Sequence, residues 1–109
     1  MYLTGTAIEA TWRTLGSVAA RGSEVVLDFI HPDVLSAPGA QKRLARARAV
    51  GEPIITGLDP GTLGADLAAS GWTLVETLDA AEIDGRYFAT RTDGYRARPG
   101  GWLAAAGIV

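Results

Sequence analysis

The chain has no cysteine among its 109 residues, which excludes disulfide frameworks, thiolate nucleophiles and cysteine-type zinc sites. It has one histidine, His31, so a histidine-based metal site would need carboxylate help. Neither HExxH nor any paired-histidine spacing is present. No apolar run approaches the roughly 18–20 residues that span a bilayer. The N-terminus lacks the basic region and apolar core of a secretion signal. Phosphate cradles are missing too: no GxGxxG follows an expected strand, and there is no GxxxxGK[ST] run. Ser36 and Ser70 have no nucleophile-elbow context. No catalytic motif recognisable in isolation is left.

What is present suits a folded domain. Apolar residues make up 48% of the chain, too many for a disordered tail. The length fits one domain, residues 1–109, and a domain of this size buries about 65% of its unfolded surface. A net charge of −2 gives no overall steering toward nucleic acid or an anionic membrane. The expectation is a soluble, cytoplasmic single domain with no membrane or nucleic-acid partner.

The rest of the chain can be arranged around 23–32. Five of the six residues from Val25 to Ile30 are apolar, in a run too short for a helix. Bounded by Gly22-Ser23 and Pro32, it reads as a strand buried on both faces, the kind found in parallel sheets covered by helices. Asp28 is the exception inside it, and His31 falls at its carboxyl end, where ligands bind in open α/β sheets. Upstream, Thr4 or Thr6 opens a helix. Thr6 and Glu9 have capping-box spacing, and Ile8, Trp12, Leu15 and Ala19 form one apolar stripe.

Downstream, a helix is expected from about Ser36 to Val50, with Pro38 in its first turn. Its Lys42, Arg43, Arg46 and Arg48 carry four positive charges with no acid among them, leaving −6 on the remainder of a chain of net −2. Such a face could bind anions, but no aromatics interleave it for stacking on bases, and basic residues near a helix C-terminus are favoured by its dipole. Asp59-Pro60 is expected to begin another helix, with Leu63, Leu67 and Ala68 buried and Gly71 as its exit. Residues 72–78 read as a strand, and Asp79 with Glu82 as a capping box opening a helix through Ile83, Tyr87 and Phe88. After a loop at 92–101, Trp102–Val109 is most simply a last strand.

Taken together, these segments resemble one family. Met1-Tyr2-Leu3-Thr4 and its helix lead into 22–30. Gly51-Glu52-Pro53 precedes Asp59-Pro60, Gly71-Trp72 begins a strand, and Arg86-Tyr87-Phe88 and Arg91-Thr92-Asp93-Gly94 close the pattern. The order is similar to the C-terminal part of the bacterial, actinobacterial-type S-adenosylmethionine-dependent methyltransferases related to leucine carboxyl methyltransferase. The resemblance implies an α/β fold, the C-terminal portion of a Rossmann-like class I methyltransferase sheet with about three strands and flanking helices. Residues 24–30, 72–78 and 102–109 would be the fifth, sixth and seventh strands, the seventh antiparallel between the other two.

The implied reaction is methyl transfer from S-adenosylmethionine to a small acceptor molecule. Tyr2 matches a family tyrosine on the active-site side, and with Asp28 and His31 it makes the set of substrate-pocket candidates. No catalytic residue can be assigned. The family's glycine-rich loop and acidic cofactor contacts have no counterpart here, so this chain alone is expected to be an inactive C-terminal fragment that binds no cofactor. Strand 24–30 would then have an open edge, available to a missing N-terminal half or to a second copy in a homodimer. The alternative is a non-catalytic α/β module that self-associates through that edge. Asp28 could instead accept helix-end amides, His31 could be a surface residue, and Arg86 and Tyr87 could pack over the sheet rather than line a pocket.

Overall fold

The computed structural model describes all 109 residues. Helix α1, Gly5–Val18, starts at Thr4 and not at Thr6: Thr4 Oγ1 accepts the Ala7 N–H at 3.2 Å. Ile8 and Trp12 of its stripe pack inward, while Leu15 is left exposed. Strand β1, Glu24–Ile30, follows. The single helix expected over 36–50 is broken into α2, Asp33–Ser36, and α3, Ala40–Ala49. Ala37 is extended and Gly39 sits at φ 78°, a left-handed conformation that suits glycine and ends helical continuity.

The next helix, α4, spans only Leu63–Ala68. Asp59 organises the turn before it: Oδ1 accepts the Gly61 N–H at 2.8 Å, and the carbonyl accepts the N–H of Leu63 at 3.1 Å. Ala68, expected in the buried stripe, is exposed. Strand β2 is Thr73–Leu78. Helix α5, Ala80–Ile83, has both halves of the expected capping box, and a π-helical turn, Asp84–Phe88, extends it. Strand β3, Gly101–Gly107, completes the sheet.

The architecture is mixed α/β, a three-stranded sheet with flanking helices and strand order β1-β3-β2. Every neighbouring pair is antiparallel, with Glu24 opposite Gly107, Phe29 opposite Trp102 and Leu78 opposite Leu103. The purely parallel sheet expected from the strand type is therefore corrected. β1 and β2 do run parallel to each other, but β3 lies between them and bonds to both. A register shift between Leu74 and Glu76 leaves Val75 outside the ladder and exposed.

The core lies on one side of the sheet. Ile8 and Trp12 of α1, with Leu63 and Leu67 of α4, pack over Phe29, Trp72, Ala104 and Ala106. Alanines on the central strand let these large side chains approach the backbone. Leu63 and Leu67 are 1% and 0% exposed, and burial of each contributes roughly 1.5–3 kcal/mol. Phe29 and Trp102 stack across strands with centroids 6.0 Å apart. Trp72 Nε1 donates to the Trp12 carbonyl at 3.0 Å, so the one indole buried between β2 and α1 also has its polar atom satisfied.

The opposite side is thinly covered, by α5 and the π-helical turn. Only 11 of 109 residues are buried, and the Cα radius of gyration is 15.4 Å, against about 13 Å for a compact chain of this length. β1 is correspondingly not buried on both faces. Val26 is 70% exposed and Asp28 is exposed, which corrects the reading of Asp28 as a carboxylate inside a buried strand. No helix is long and apolar enough to cross a membrane.

Candidate functional site

β1 is an edge strand, and its free side can be read from its ladder. The Ser23 carbonyl accepts from Ile108, and the His31 N–H donates to Gly100, both toward β3. By the alternation of an antiparallel ladder, residues of that parity address β3. Glu24, Val26 and Asp28 therefore present their N–H and C=O groups to the open side. The Ile30 carbonyl points the same way and is already taken by the Leu58 N–H at 2.9 Å.

Two clefts of about 380 Å³ each adjoin this edge and share Met1, Asp28 and Phe29. The first lies between α1 and the segment 56–58. Tyr2, Thr11 and Thr56 are its polar side chains, Asp28 borders it at the strand edge, and its apolar walls include Leu3, Ile8, Trp12, Leu27 and Leu58. The second runs toward the start of β3, where Arg98 and Tyr95 join Asp28, Ile83 and Trp102. Met1 is held where the clefts meet because its carbonyl accepts the N–H groups of Ile55 and Thr56 at 2.9 and 3.1 Å. Thr56 Oγ1 also donates to the Leu3 carbonyl at 2.6 Å, fixing the wall opposite β1.

Of the three substrate-pocket candidates, the structure brings two together. Tyr2 and Asp28 line the first cleft. Asp28 takes no part in the chain's arginine–carboxylate pairs, which are Arg86–Glu76 and Arg91–Asp93. His31 lines neither cleft. Its Nδ1 accepts the Asp33 N–H at 3.1 Å and lies 3.5 Å from Asp33 Oδ2, so the ring braces the turn into α2. Thr56 and Met1 are among the lining groups that sequence reasoning missed. Both arrive through backbone pairing between segments far apart in sequence, which no local pattern signals.

Two charged pairs away from the clefts hold elements of the fold together. Arg86 forms a two-pronged pair with Glu76 at 2.9 and 3.2 Å, pinning the π-helical turn to β2. That guanidinium holds the Glu76 carboxyl below its usual range. Tyr87 borders a small hollow on the thinly covered side of the sheet, with Val26 and Leu103. Arg91 pairs with Asp93 and lies over the Phe88 and Tyr95 rings, and this pairing holds Asp93 below the usual carboxylate range. Arg46 and Arg48 stand in the last turn of α3, where the helix dipole favours them. No group of three His, Asp or Glu residues is arranged to hold a metal ion.

Comparison with protein-family models, with curated proteins and with solved structures found no match.

Proposed function

We propose that this chain forms the acceptor-side portion of an S-adenosylmethionine-dependent methyltransferase of class I type, of the family related to leucine carboxyl methyltransferase. The observation that carries the reading is the strand order, with β3 antiparallel between two strands that run parallel to each other. That arrangement is unusual for strands joined through helices, and it coincides with the order the sequence resemblance implies. The one-sided core and the open β1 edge also suit a segment that packs against more sheet.

The chain's own residues do not fit the cofactor. The turns at the carboxyl ends of β1 and β2 are His31-Pro32-Asp33 and Asp79-Ala80, without glycine for close backbone approach. Both place a carboxylate at the start of the following helix, where the cofactor's own carboxylate would be repelled. What the chain offers is one wall of an acceptor pocket, formed by Tyr2 and Asp28 with apolar surroundings. Such a wall contributes by holding the acceptor in line with the methyl donor, and positioning is a large share of catalysis in group transfer.

Two measurements test this. Calorimetry on the 109-residue chain should give no saturable S-adenosylmethionine binding, and micromolar binding would refute the division of labour. The coding sequence before the Met1 codon should contain an in-frame glycine-rich loop. The protein expressed with it should transfer labelled methyl groups to a small acceptor, and its failure to bind the cofactor would sink the reading. The second reading is a non-catalytic module that self-associates through β1, favoured by the exposure of Val26. Sedimentation at several concentrations checks it, and the carboxylates of Glu24 and Asp28 on that edge count against it.

A further inference from the structure

We infer that the outer face of α3 is a docking surface for an acidic helical segment of a partner protein, one that carries glutamate or aspartate on both flanks of a small apolar seam. The inference does not depend on methyl transfer. Nor does it call on the β1 edge, so further strands added there leave it standing.

The charge on α3 is uncompensated. Lys42, Arg43, Arg46 and Arg48 are all exposed, and none is among the chain's ion pairs. Their one side-chain bond within the chain is long, from Arg43 Nη2 to the Val34 carbonyl at 3.4 Å. The helix dipole accounts for Arg46 and Arg48 in the last turn, but not for the other two. Lys42 and Arg43 are the third and fourth residues of α3, toward the end where the dipole disfavours cations. That end has neither a side-chain cap nor an acid in its first turn. Lys42 and Arg46 stand four residues apart, and Arg43 and Arg46 three apart, spacings at which like charges on a helix repel. The chain has 12 acidic residues and places none of them on this helix. An anion supplied from outside relieves each of these conflicts.

The shape of the face suits a helix. Ala40 is buried and Leu44 and Ala47 are half-buried, which defines the inward side of α3. Successive residues turn by roughly 100°, so Ala45 and Ala49 form an exposed row on the opposite side. Lys42 and Arg46 form the row beside it, and Arg48 lies across the alanines on the other flank. The alanines let a second helix approach closely, while the cations reach past it on both sides, as charged residues flank the seam of a coiled coil. Three of the four cations are arginines, whose planar forks take carboxylates with two parallel hydrogen bonds.

Size and charge select the class of partner. α3 has ten residues and is about 15 Å long. With four positive charges on α3 and a net charge of −2, the remainder of the chain carries −6. A nucleic-acid duplex or an anionic bilayer extends past α3 and meets that acidic remainder, whereas a short acidic helix does not. A second copy of this chain is not the occupant either, because α1, α2, α4 and α5 carry a single acid each.

The test uses the 109-residue chain and a capped peptide of about 18 residues, long enough to be helical, with an alanine row flanked by glutamates on both sides. Calorimetry at low salt should show saturable binding. Glutamine in place of the glutamates should weaken it roughly tenfold or more, since several exposed pairs of small individual worth act together. A peptide of the same composition with its glutamates scattered around the helix should bind more weakly, and equal binding would overturn the seam. Lys42→Glu should raise the thermal midpoint of the free chain, because it places an acid in the first turn, and should weaken peptide binding severalfold. That pairing of gain and loss separates docking from misfolding, and unchanged binding would overturn the inference. Hydrogen exchange at 40–49 should slow in the complex; unchanged exchange there would place the peptide elsewhere and overturn the assignment. Tighter binding of a short DNA duplex or of phosphatidylserine vesicles than of the peptide would overturn the choice of partner. No saturable binding by the glutamate peptide would overturn the inference outright.

Discussion

Replacement of Gly16 by alanine sets two effects of opposite sign against each other. Gly16 lies inside α1, where alanine is favoured over glycine by about 0.8–1 kcal/mol. A Cβ there, however, would run into the Ser70 carbonyl oxygen and come within 3.2 Å of Trp72 Nε1. The obstacle is backbone in a turn closed by the bonds of Ser70 and Trp72 N–H to the Leu67 carbonyl, so it does not swing aside as a side chain would. Overpacking of this kind costs roughly 1–3 kcal/mol, and loss of the indole bond to Trp12 adds about 1 kcal/mol. Gly16→Ala should therefore destabilise the chain by about 2 kcal/mol, a fall in Tm of roughly 8–16 °C. Urea denaturation followed by circular dichroism and tryptophan fluorescence reads the change. Gly64→Ala is the control, because its Cβ meets only a Leu74 side chain at 3.5 Å, and it should be neutral or stabilising. In a Trp72→Phe background the penalty at Gly16 should shrink, since the indole bond is already gone. Stability of Gly16→Ala at or above that of the parent would show that α1 does not pack on the α4–β2 turn in this way.

Other expectations concern separate parts of the fold. Asp79→Ala removes the half of the capping box in which Asp79 Oδ1 accepts the Glu82 N–H, and should cost about 1 kcal/mol in chemical denaturation. Ala106→Val adds volume at a 0% exposed site on the central strand and should cost roughly 1–3 kcal/mol by the same assay. The Glu76 carboxyl should titrate below the ordinary glutamate range by carbon NMR and return to it in Arg86→Met. Because its folded pKa is depressed, the stabilisation from this pair is present above the ordinary glutamate value and is lost as pH falls through the folded one. A parent and an Arg86→Met variant with identical acid unfolding would contradict the pairing.

The elements that rest on local chemistry were legible in the sequence. Asp79 and Glu82 signal their capping box through spacing alone, and the strands at 24–30, 73–78 and 101–107 follow from short apolar runs between turn residues. The break at Gly39 was also signalled, by the Pro38-Gly39 pair, but the helical charge pattern across 42–48 masks it. Exposure was not legible. The burial of Val26 depends on what lies over the sheet, and an apolar run carries no information about that. Strand direction was misread for the same reason: the apolar character of β1 suggested a parallel sheet, yet it suits a strand between two helix layers whichever way its neighbour runs. At the site, Tyr2 and Asp28 could be named because of residue type and position. Met1 and Thr56 join them through pairings between the N-terminus and the 54–58 segment, which only the folded chain brings about.

The position of β3 has a kinetic consequence. β1 and β2 never bond to each other; each is secured only by residues 101–107, which a ribosome makes after everything else in the sheet. Until then Val26, Leu74 and their neighbours present open edges on both sides, and the loop to be closed joins Glu24 to Gly107. Pairings this distant in sequence form slowly, so a nascent or unfolding chain spends its vulnerable interval with two unsecured strands. Because β3 carries both ladders, neither β1 nor β2 keeps a sheet partner without it.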